Sequence, residues 1–221
     1  SSGTSPSGTL VLDATCTPAD IAYPTDLRLL NHARECLENL IDRICERSEG
    51  LLSKPRMHRK KARREYLKAA KKRRIRGSLL RKALRKQLGY LRRNLKFITD
   101  MLEQFPARKL LSEKEESRLR TLETLYRQQL EMYQNRSHRT EHRIVSIAQP
   151  HVRPIVRGKA RNNTEFGAKL ALSIDNGYSL VELLSWENFN EGLTLAQAAE
   201  NYRNRHGHYP EVICADAIYR N

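Results

Sequence analysis

Short apolar runs that end on an aspartate stand near both ends of the chain. Residues 9–16 read Thr-Leu-Val-Leu-Asp-Ala-Thr-Cys, and residues 212–216 read Val-Ile-Cys-Ala-Asp. Runs of four to eight apolar residues bounded by turn signals predict strands that are buried on both faces. A carboxylate at the last position of such a strand emerges at the edge of the sheet. We therefore expect Asp13 and Asp216 at a sheet edge.

Between these two runs, hydrophobic residues recur at helical spacing. The pattern over residues 27–135 predicts three or four helices, arranged as a hairpin bundle or an antiparallel coiled coil. The first helix begins after Thr25 or Asp26, either of which can cap it. A later helix follows Ser112, where Ser-Glu-Lys-Glu resembles a capping box. The clearest apolar stripe alternates steps of four and three residues, and it consists of Leu84, Leu88, Leu91, Leu95, Ile98 and Leu102.

Beyond the helices, the pattern returns to that of strands. Residues 166–174 alternate with period two, and the pair Asn176-Gly177 predicts a tight hairpin whose return strand covers residues 180–186. A helix near residues 194–205 then leads to the last strand. The segment of residues 144–148 is predicted to be a short strand.

Without the helices, the predicted order is strand, strand, strand, helix, strand, which opens the ribonuclease H-like fold. In that arrangement the first and fourth strands are parallel neighbours joined by a right-handed crossover, so that Asp13 would lie beside Asp216. The prediction is an α/β protein with a mixed sheet of this kind, interrupted after its first strand by a large helical insertion. Its parts are a linker (residues 1–8), a partial ribonuclease H-like core (9–26 and 164–221), a basic helical insertion (27–135) and a connecting arm (136–163).

Two carboxylates at one point of a sheet edge favour a divalent metal site. Bare carboxylates a few ångströms apart repel each other, and bound Mg²⁺ or Mn²⁺, which prefers oxygen ligands, relieves the repulsion. A pair of such ions about 4 Å apart can activate a water or a 3′ hydroxyl on one side of a phosphate and stabilise the leaving oxygen on the other. The pattern therefore predicts metal-dependent phosphodiester chemistry, with Asp13 and Asp216 as catalytic residues and metal ligands.

The charge of the chain points to a polyanionic partner. The formal net charge is +16, and residues 54–96 alone hold 20 Lys or Arg with Glu65 as their single acidic residue, a net charge of +19 that leaves −3 for the remainder. Such a run favours nucleic acid, and phosphate contacts should make the binding weaken steeply with salt. No apolar run is long enough for a membrane helix, so we expect no membrane partner. The basic residues predicted to contact DNA are Lys159, Arg161, Lys169, Arg73, Arg74 and Arg76.

Four short sequence segments resemble those of a known family. They are Leu-Val-Leu-Asp-Ala-Thr-Cys (10–16), Asp-Ile-Ala-Tyr-Pro-Thr-Asp-Leu (20–27), Phe-Gly-Ala-Lys (166–169) and Ala-Asp (215–216). In kind and in order they resemble the DDE transposases of bacterial insertion sequences. The resemblance covers the strand segments and the Tyr-Pro-Thr-Asp entry to the first helix.

The resemblance implies specific roles and partners. Asp13 matches the first catalytic aspartate of such enzymes and Asp216 the second. Their third acidic residue lies on a later helix, and because this chain stops at Asn221 we expect a fragment that is inactive, or nearly so, by itself. The implied cofactor is Mg²⁺ or Mn²⁺, and the implied partner is double-stranded DNA at the element ends and the target. The implied location is the bacterial cytoplasm at the nucleoid, and a homodimer is left open.

Other hypotheses stand beside this one. The chain could be a non-enzymatic, basic helical protein that binds nucleic acid and uses the strands as a scaffold, or a degenerate relic of a mobile element. Asp20 and Asp26 suit turn and N-cap positions better than catalysis. His206 and His208 suit a solvated loop better than a metal site. The four cysteines have no metal-ligand spacing, which argues against zinc.

Overall fold

The computed structural model describes residues 5–106, 108–156 and 164–219, and in this part of the chain the protein is a mixed α/β structure. It divides into two compact units, which we call the sheet unit (residues 1–21 and 151–221) and the helical unit (residues 22–150). In chain order, the elements are β1 (Thr9–Pro18), α1 (Asp26–Arg47), α2 (Arg59–Ala70), α3 (Gly77–Gln104), α4 (Glu113–Gln134), β2 (Arg153–Val156), β3 (Thr164–Asp175), β4 (Tyr178–Ser185), α5 (Thr194–His206) and β5 (Val212–Ala215).

The sheet is built around the long strand β3. One side of β3 pairs antiparallel with β1, and its other side pairs antiparallel with β2 and β4. The predicted hairpin between β3 and β4 is confirmed, and its turn residues Asn176 and Gly177 have φ values of 50° and 83°, which suits a tight hairpin turn. The predicted parallel pairing of the first and last strands is also confirmed, because β5 pairs in parallel with β1.

The two faces of the sheet differ in what covers them. The face that carries Leu10 and Leu12 is buried, because Ala198 and Tyr202 of α5 pack on it together with Tyr219. The other face leaves several apolar side chains exposed, namely Val11, Ile174, Val181 and Val212. The prediction that the first and last strands are buried on both faces is therefore wrong. Their apolar runs are also compatible with a single covered face, since alternate residues of a strand point to opposite sides.

The helical unit contains the four helices α1 to α4, with caps where the sequence predicts them. The hydroxyl of Thr25 accepts a hydrogen bond from the backbone N–H of Arg28 and caps α1. Ser112 and Glu115 form the complete capping box of α4. The apolar stripe of α3 faces the core of this unit, where Leu88, Leu91 and Ile98 are buried.

The segment after α4 differs from its prediction. Residues 144–148 form no strand, and the short strand in this region is β2 instead. Ile144 and Ile147 are buried and belong to the hydrophobic core of the helical unit. The backbone N–H of Ile144 donates a hydrogen bond to Oε1 of Gln128 at 3.0 Å. The segment is thus apolar because it packs on helices, which a local apolar pattern cannot distinguish from strand pairing.

Candidate active site

The register of the two parallel strands sets Asp13 and Asp216 at matching positions. Leu12 of β1 pairs with Ala215 at the last position of β5, and each aspartate is the next residue. Asp216 thus follows the end of its strand, whereas Asp13 lies within β1 and pairs with Leu172 of β3. The prediction that Asp13 ends its strand is therefore wrong, because β1 continues past the apolar run to Pro18. Neighbouring strands lie about 4.8 Å apart, so the two aspartates follow adjacent backbones at the same level. Both residues are exposed. The sheet thus brings together two carboxylates that are more than two hundred positions apart in the sequence.

The two carboxylates are held in the same way. The N–H of Ala14 donates to Oδ1 of Asp13 at 2.7 Å, and the N–H of Ala217 donates to Oδ1 of Asp216 at 2.5 Å. No other residue that the structure describes donates to either carboxylate. One oxygen of each is therefore tied to its own backbone, while Oδ2 of each accepts no hydrogen bond from a described residue.

Tyr219 lies close to this pair, at the end of the 3₁₀ turn of residues 217–219. Its ring is 7% exposed, and its hydroxyl has no hydrogen-bond partner of ordinary geometry among the described residues. Burial raises the pKa of the Tyr219 phenol; the Thr194 side chain acts against this, and the negative charges of Glu191, Asp13 and Asp216 add to it. The phenol is thus neutral, and three carboxylates lie within electrostatic range of it. No sequence pattern predicts a role for Tyr219 or Glu191, although Tyr219 follows Asp216 by three residues.

Lys169, which the sequence predicts as a DNA contact, binds other protein groups. Its Nζ lies 2.8 Å from Oε1 of Glu191 and donates to the carbonyl oxygen of Phe189 at 2.7 Å. It also lies 4.8 Å from the centroid of the Phe189 ring. Only 11% of the Lys169 side chain is exposed. This geometry gives Lys169 a structural role in holding the segment before α5, and its contact with DNA stays a prediction.

Asp13 and Asp216 are the two predicted metal ligands. Among the described residues, no three His, Cys, Asp or Glu side chains are grouped closely enough to hold a metal ion. Two exposed carboxylates at matching positions of neighbouring strands nevertheless suit the donor preference of Mg²⁺, which is commonly bound through one or two carboxylates, with water and substrate phosphate completing its shell. The residues present are thus compatible with an ion that the substrate helps to bind.

The remaining predicted residues lie elsewhere in the chain. Arg73, Arg74 and Arg76 are exposed in the connection between α2 and α3 of the helical unit. Lys159 and Arg161 lie outside the residues that the structure describes. Asp26 has the structural role expected for it, since its Oδ1 accepts hydrogen bonds from two side chains, Gln129 at 2.9 Å and Arg143 at 2.8 Å.

His206 differs from the solvated loop residue that the sequence suggests. It is the last residue of α5, and its Nε2 lies 2.7 Å from Oδ2 of the buried Asp175. His208 lies two residues further along, and its Nδ1 contacts the carbonyl oxygen of Tyr209 at 3.0 Å. Neither histidine belongs to a metal-binding cluster among the described residues.

None of the helices that the structure describes has the length and apolar character needed to cross a membrane.

The chain was compared with protein-family models, curated proteins and solved structures. None of them matches it.

Proposed function

We propose that the chain forms part of the catalytic domain of a DDE-type DNA transposase with a ribonuclease H-like fold. In this proposal Asp13 and Asp216 bind Mg²⁺ or Mn²⁺ and act on a phosphodiester bond of DNA. The observation that carries the proposal is the parallel pairing of β1 with β5, which sets the two aspartates at matching positions. The sequence segments that resemble such transposases, and the net charge of +16, support DNA as the substrate.

The order of the strands supports the same proposal. Across the sheet the strands run β4, β3, β1, β5, and α5 connects β4 to β5. This is the order that a ribonuclease H-like core requires, with its first strand between the hairpin and the parallel fourth strand. The helical unit then stands as an insertion between β1 and the remaining strands.

The residues of the chain have defined tasks in this proposal. The backbone amides of Ala14 and Ala217 fix the orientation of the two carboxylates, so that little ordering is needed when a ligand arrives. When bound, the metal ion would polarise the phosphate and lower the pKa of a coordinated water or hydroxyl.

Nicking of a supercoiled plasmid in Mn²⁺ tests the proposal, since a single cut per plasmid is detected and even low turnover is measurable. We expect slow nicking that requires the metal ion and is lost in Asp13→Asn and in Asp216→Asn. Asp20→Asn is the matched control, because this aspartate is also exposed and close in sequence, and it should nick like the parent chain. Nicking that persists in both Asp13→Asn and Asp216→Asn, or that needs no metal, would exclude the proposed site.

A further inference from the structure

One face of α2 carries five cations around a shallow groove. The groove has a volume of about 450 Å³, and its lining residues follow helical steps of three and four along the helix, namely Lys60, Arg63, Arg64, Leu67, Lys68 and Lys71. All six residues are exposed. We call this surface the α2 face. At 1.5 Å per residue, the span from the first to the last of these residues is about 16 Å.

Several cations elsewhere in the same basic segment, though not all of them, have partners within the protein. Lys54 and Arg59 form ion pairs with Asp42, at 2.7 Å and 2.6 Å. Lys86 forms an ion pair with Glu65 at 2.6 Å. Arg81 and Arg93 are also engaged, since they donate to the backbone carbonyl oxygens of Tyr133 and Met57.

The five cations of the α2 face differ from these. None of their side chains forms an ion pair or a hydrogen bond with any residue in the described part of the chain. The one carboxylate of α2, Glu65, is occupied by Lys86 and by the hydroxyl of Tyr90. Like charges three and four residues apart on a helix destabilise it by a few tenths of a kcal/mol per pair. The α2 face therefore reduces the stability of the fold and lacks an internal counter-charge.

The side chains of the α2 face favour one class of polyanion over others. No aromatic side chain lines it, so it lacks the stacking platform with which proteins bind single-stranded nucleic acid. Leu67 is its one apolar residue, whereas a helix that inserts into a lipid surface needs a wide apolar face. The apolar side of α2 consists of the buried Ala62 and Ala69. A straight row of cations suits the regularly spaced phosphates of a duplex.

We propose that the α2 face binds the phosphate backbone of duplex nucleic acid without reading its sequence. The inference does not depend on Asp13 and Asp216, because it needs neither the metal ion nor strand cleavage. If all five cations contact phosphates, the logarithm of the binding constant should fall with the logarithm of salt concentration with a slope of about −4.5.

The test measures fluorescence anisotropy of a labelled DNA duplex with the full chain in EDTA, over a range of salt concentrations. The test variant is the triple substitution Lys60→Gln, Arg64→Gln and Lys68→Gln. Its matched control removes the same charge from exposed positions at and near α4, with Lys109→Gln, Lys114→Gln and Arg120→Gln. Circular dichroism confirms that both variants keep their helices, which is expected because the test substitutions relieve repulsion.

We expect the test variant to bind at least about tenfold more weakly at moderate salt, and its slope to be smaller by about 2.7, since three phosphate contacts are lost. The control should stay close to the parent chain. Equal losses in both variants would show that only net charge matters and would overturn the proposal. An unchanged salt slope in the test variant would do the same.

Other ligands distinguish duplex phosphates from alternative polyanions. An RNA duplex should depend on the α2 face as the DNA duplex does, because both present a phosphate backbone. Tighter binding of single-stranded DNA than of the duplex, or a dependence on the α2 face found only with vesicles of anionic lipid, would contradict the proposal. Because these affinities are measured in EDTA, without the metal ion or strand cleavage, a failure here is separable from a failure of the proposed catalytic site.

Discussion

His206 Nε2 lies 2.7 Å from Oδ2 of Asp175, and this contact joins the end of α5 to the end of β3. The carboxylate of Asp175 is 7% exposed, and its other oxygen, Oδ1, has no hydrogen-bond partner among the described residues. Arg205 lies nearby, with its Nε at 3.5 Å from the same Oδ2. A buried carboxylate with so few partners depends strongly on the ones it has.

We predict that His206→Ala lowers the free energy of unfolding of the sheet unit by about 1–3 kcal/mol, because Asp175 loses its shortest hydrogen bond. Urea unfolding followed by the fluorescence of Trp186, the single tryptophan of the chain, reports on this unit. His208→Ala is the control, since its ring nitrogen contacts only the neighbouring Tyr209 carbonyl. Similar losses in the two variants would mean that the contact with Asp175 contributes nothing specific.

Glu115 should stabilise the helical unit in a pH-dependent manner. Hydrogen bonds from Arg47, and then from Ser112 and Arg43, hold the pKa of the Glu115 carboxyl well below its usual range, although burial acts in the opposite direction. Because the pKa is lower in the folded protein, the stabilisation is complete above about pH 4.3, the ordinary value for Glu. It is lost as the pH falls from there toward the depressed pKa.

At neutral pH we expect Glu115→Gln to reduce the free energy of unfolding by about 1–3 kcal/mol, a range that allows for the screening of two half-exposed arginines. Urea unfolding followed by circular dichroism provides the measurement. Glu113→Gln, at a position in the same helical turn that is 89% exposed, should change little. A difference between the parent chain and Glu115→Gln that stays constant down to pH 3 would contradict the pKa argument.

Substitution of alanine for two of the glycines should change stability in opposite directions. A Cβ at Gly167 would overlap the carbonyl oxygen of Thr17 and lie 3.0 Å from the Cα of Pro18, where β3 runs against β1. A Cβ at Gly89, which is exposed on α3, would meet nothing within 4 Å. The first position is too close to backbone for any side chain, and the second is an ordinary helix position.

Gly167→Ala should therefore destabilise the sheet unit by about 1–3 kcal/mol, measured through Trp186. Gly89→Ala should stabilise the helical unit by about 0.5–1 kcal/mol, because glycine is a poor helix former, measured by circular dichroism. A neutral result at Gly167 would mean that β1 and β3 can separate at this point without cost.

The sequence predicts the elements whose cause is local. The hairpin follows from Asn176-Gly177 and the capping box from Ser112 and Glu115, because each depends on residues within a few positions. The pairing of β1 with β5 was also predictable, since both apolar runs end on an aspartate and the order of the elements leaves few topologies.

The contacts between distant residues were not predictable in this way. Lys169 appeared to be a free cation because its partner Glu191 is 22 positions away and belongs to a 3₁₀ turn. His206 appeared solvated because Asp175 lies on another element. The exposure of one face of the sheet was not predictable for the same reason, since an apolar run does not show whether a second layer of structure covers the strand.

The central claim is that Asp13 and Asp216 share a divalent cation, and Fe²⁺-directed cleavage of the protein backbone tests it most directly. Fe²⁺ can replace Mg²⁺, and with ascorbate and hydrogen peroxide it generates radicals that cut the chain next to the ion. We predict two cuts in the parent chain, one near Asp13 and one near Asp216. Both should disappear in Asp13→Asn and in Asp216→Asn and persist in Asp20→Asn. Cuts at neither position, or a cut at one that is indifferent to substitution of the other, would contradict a shared cation.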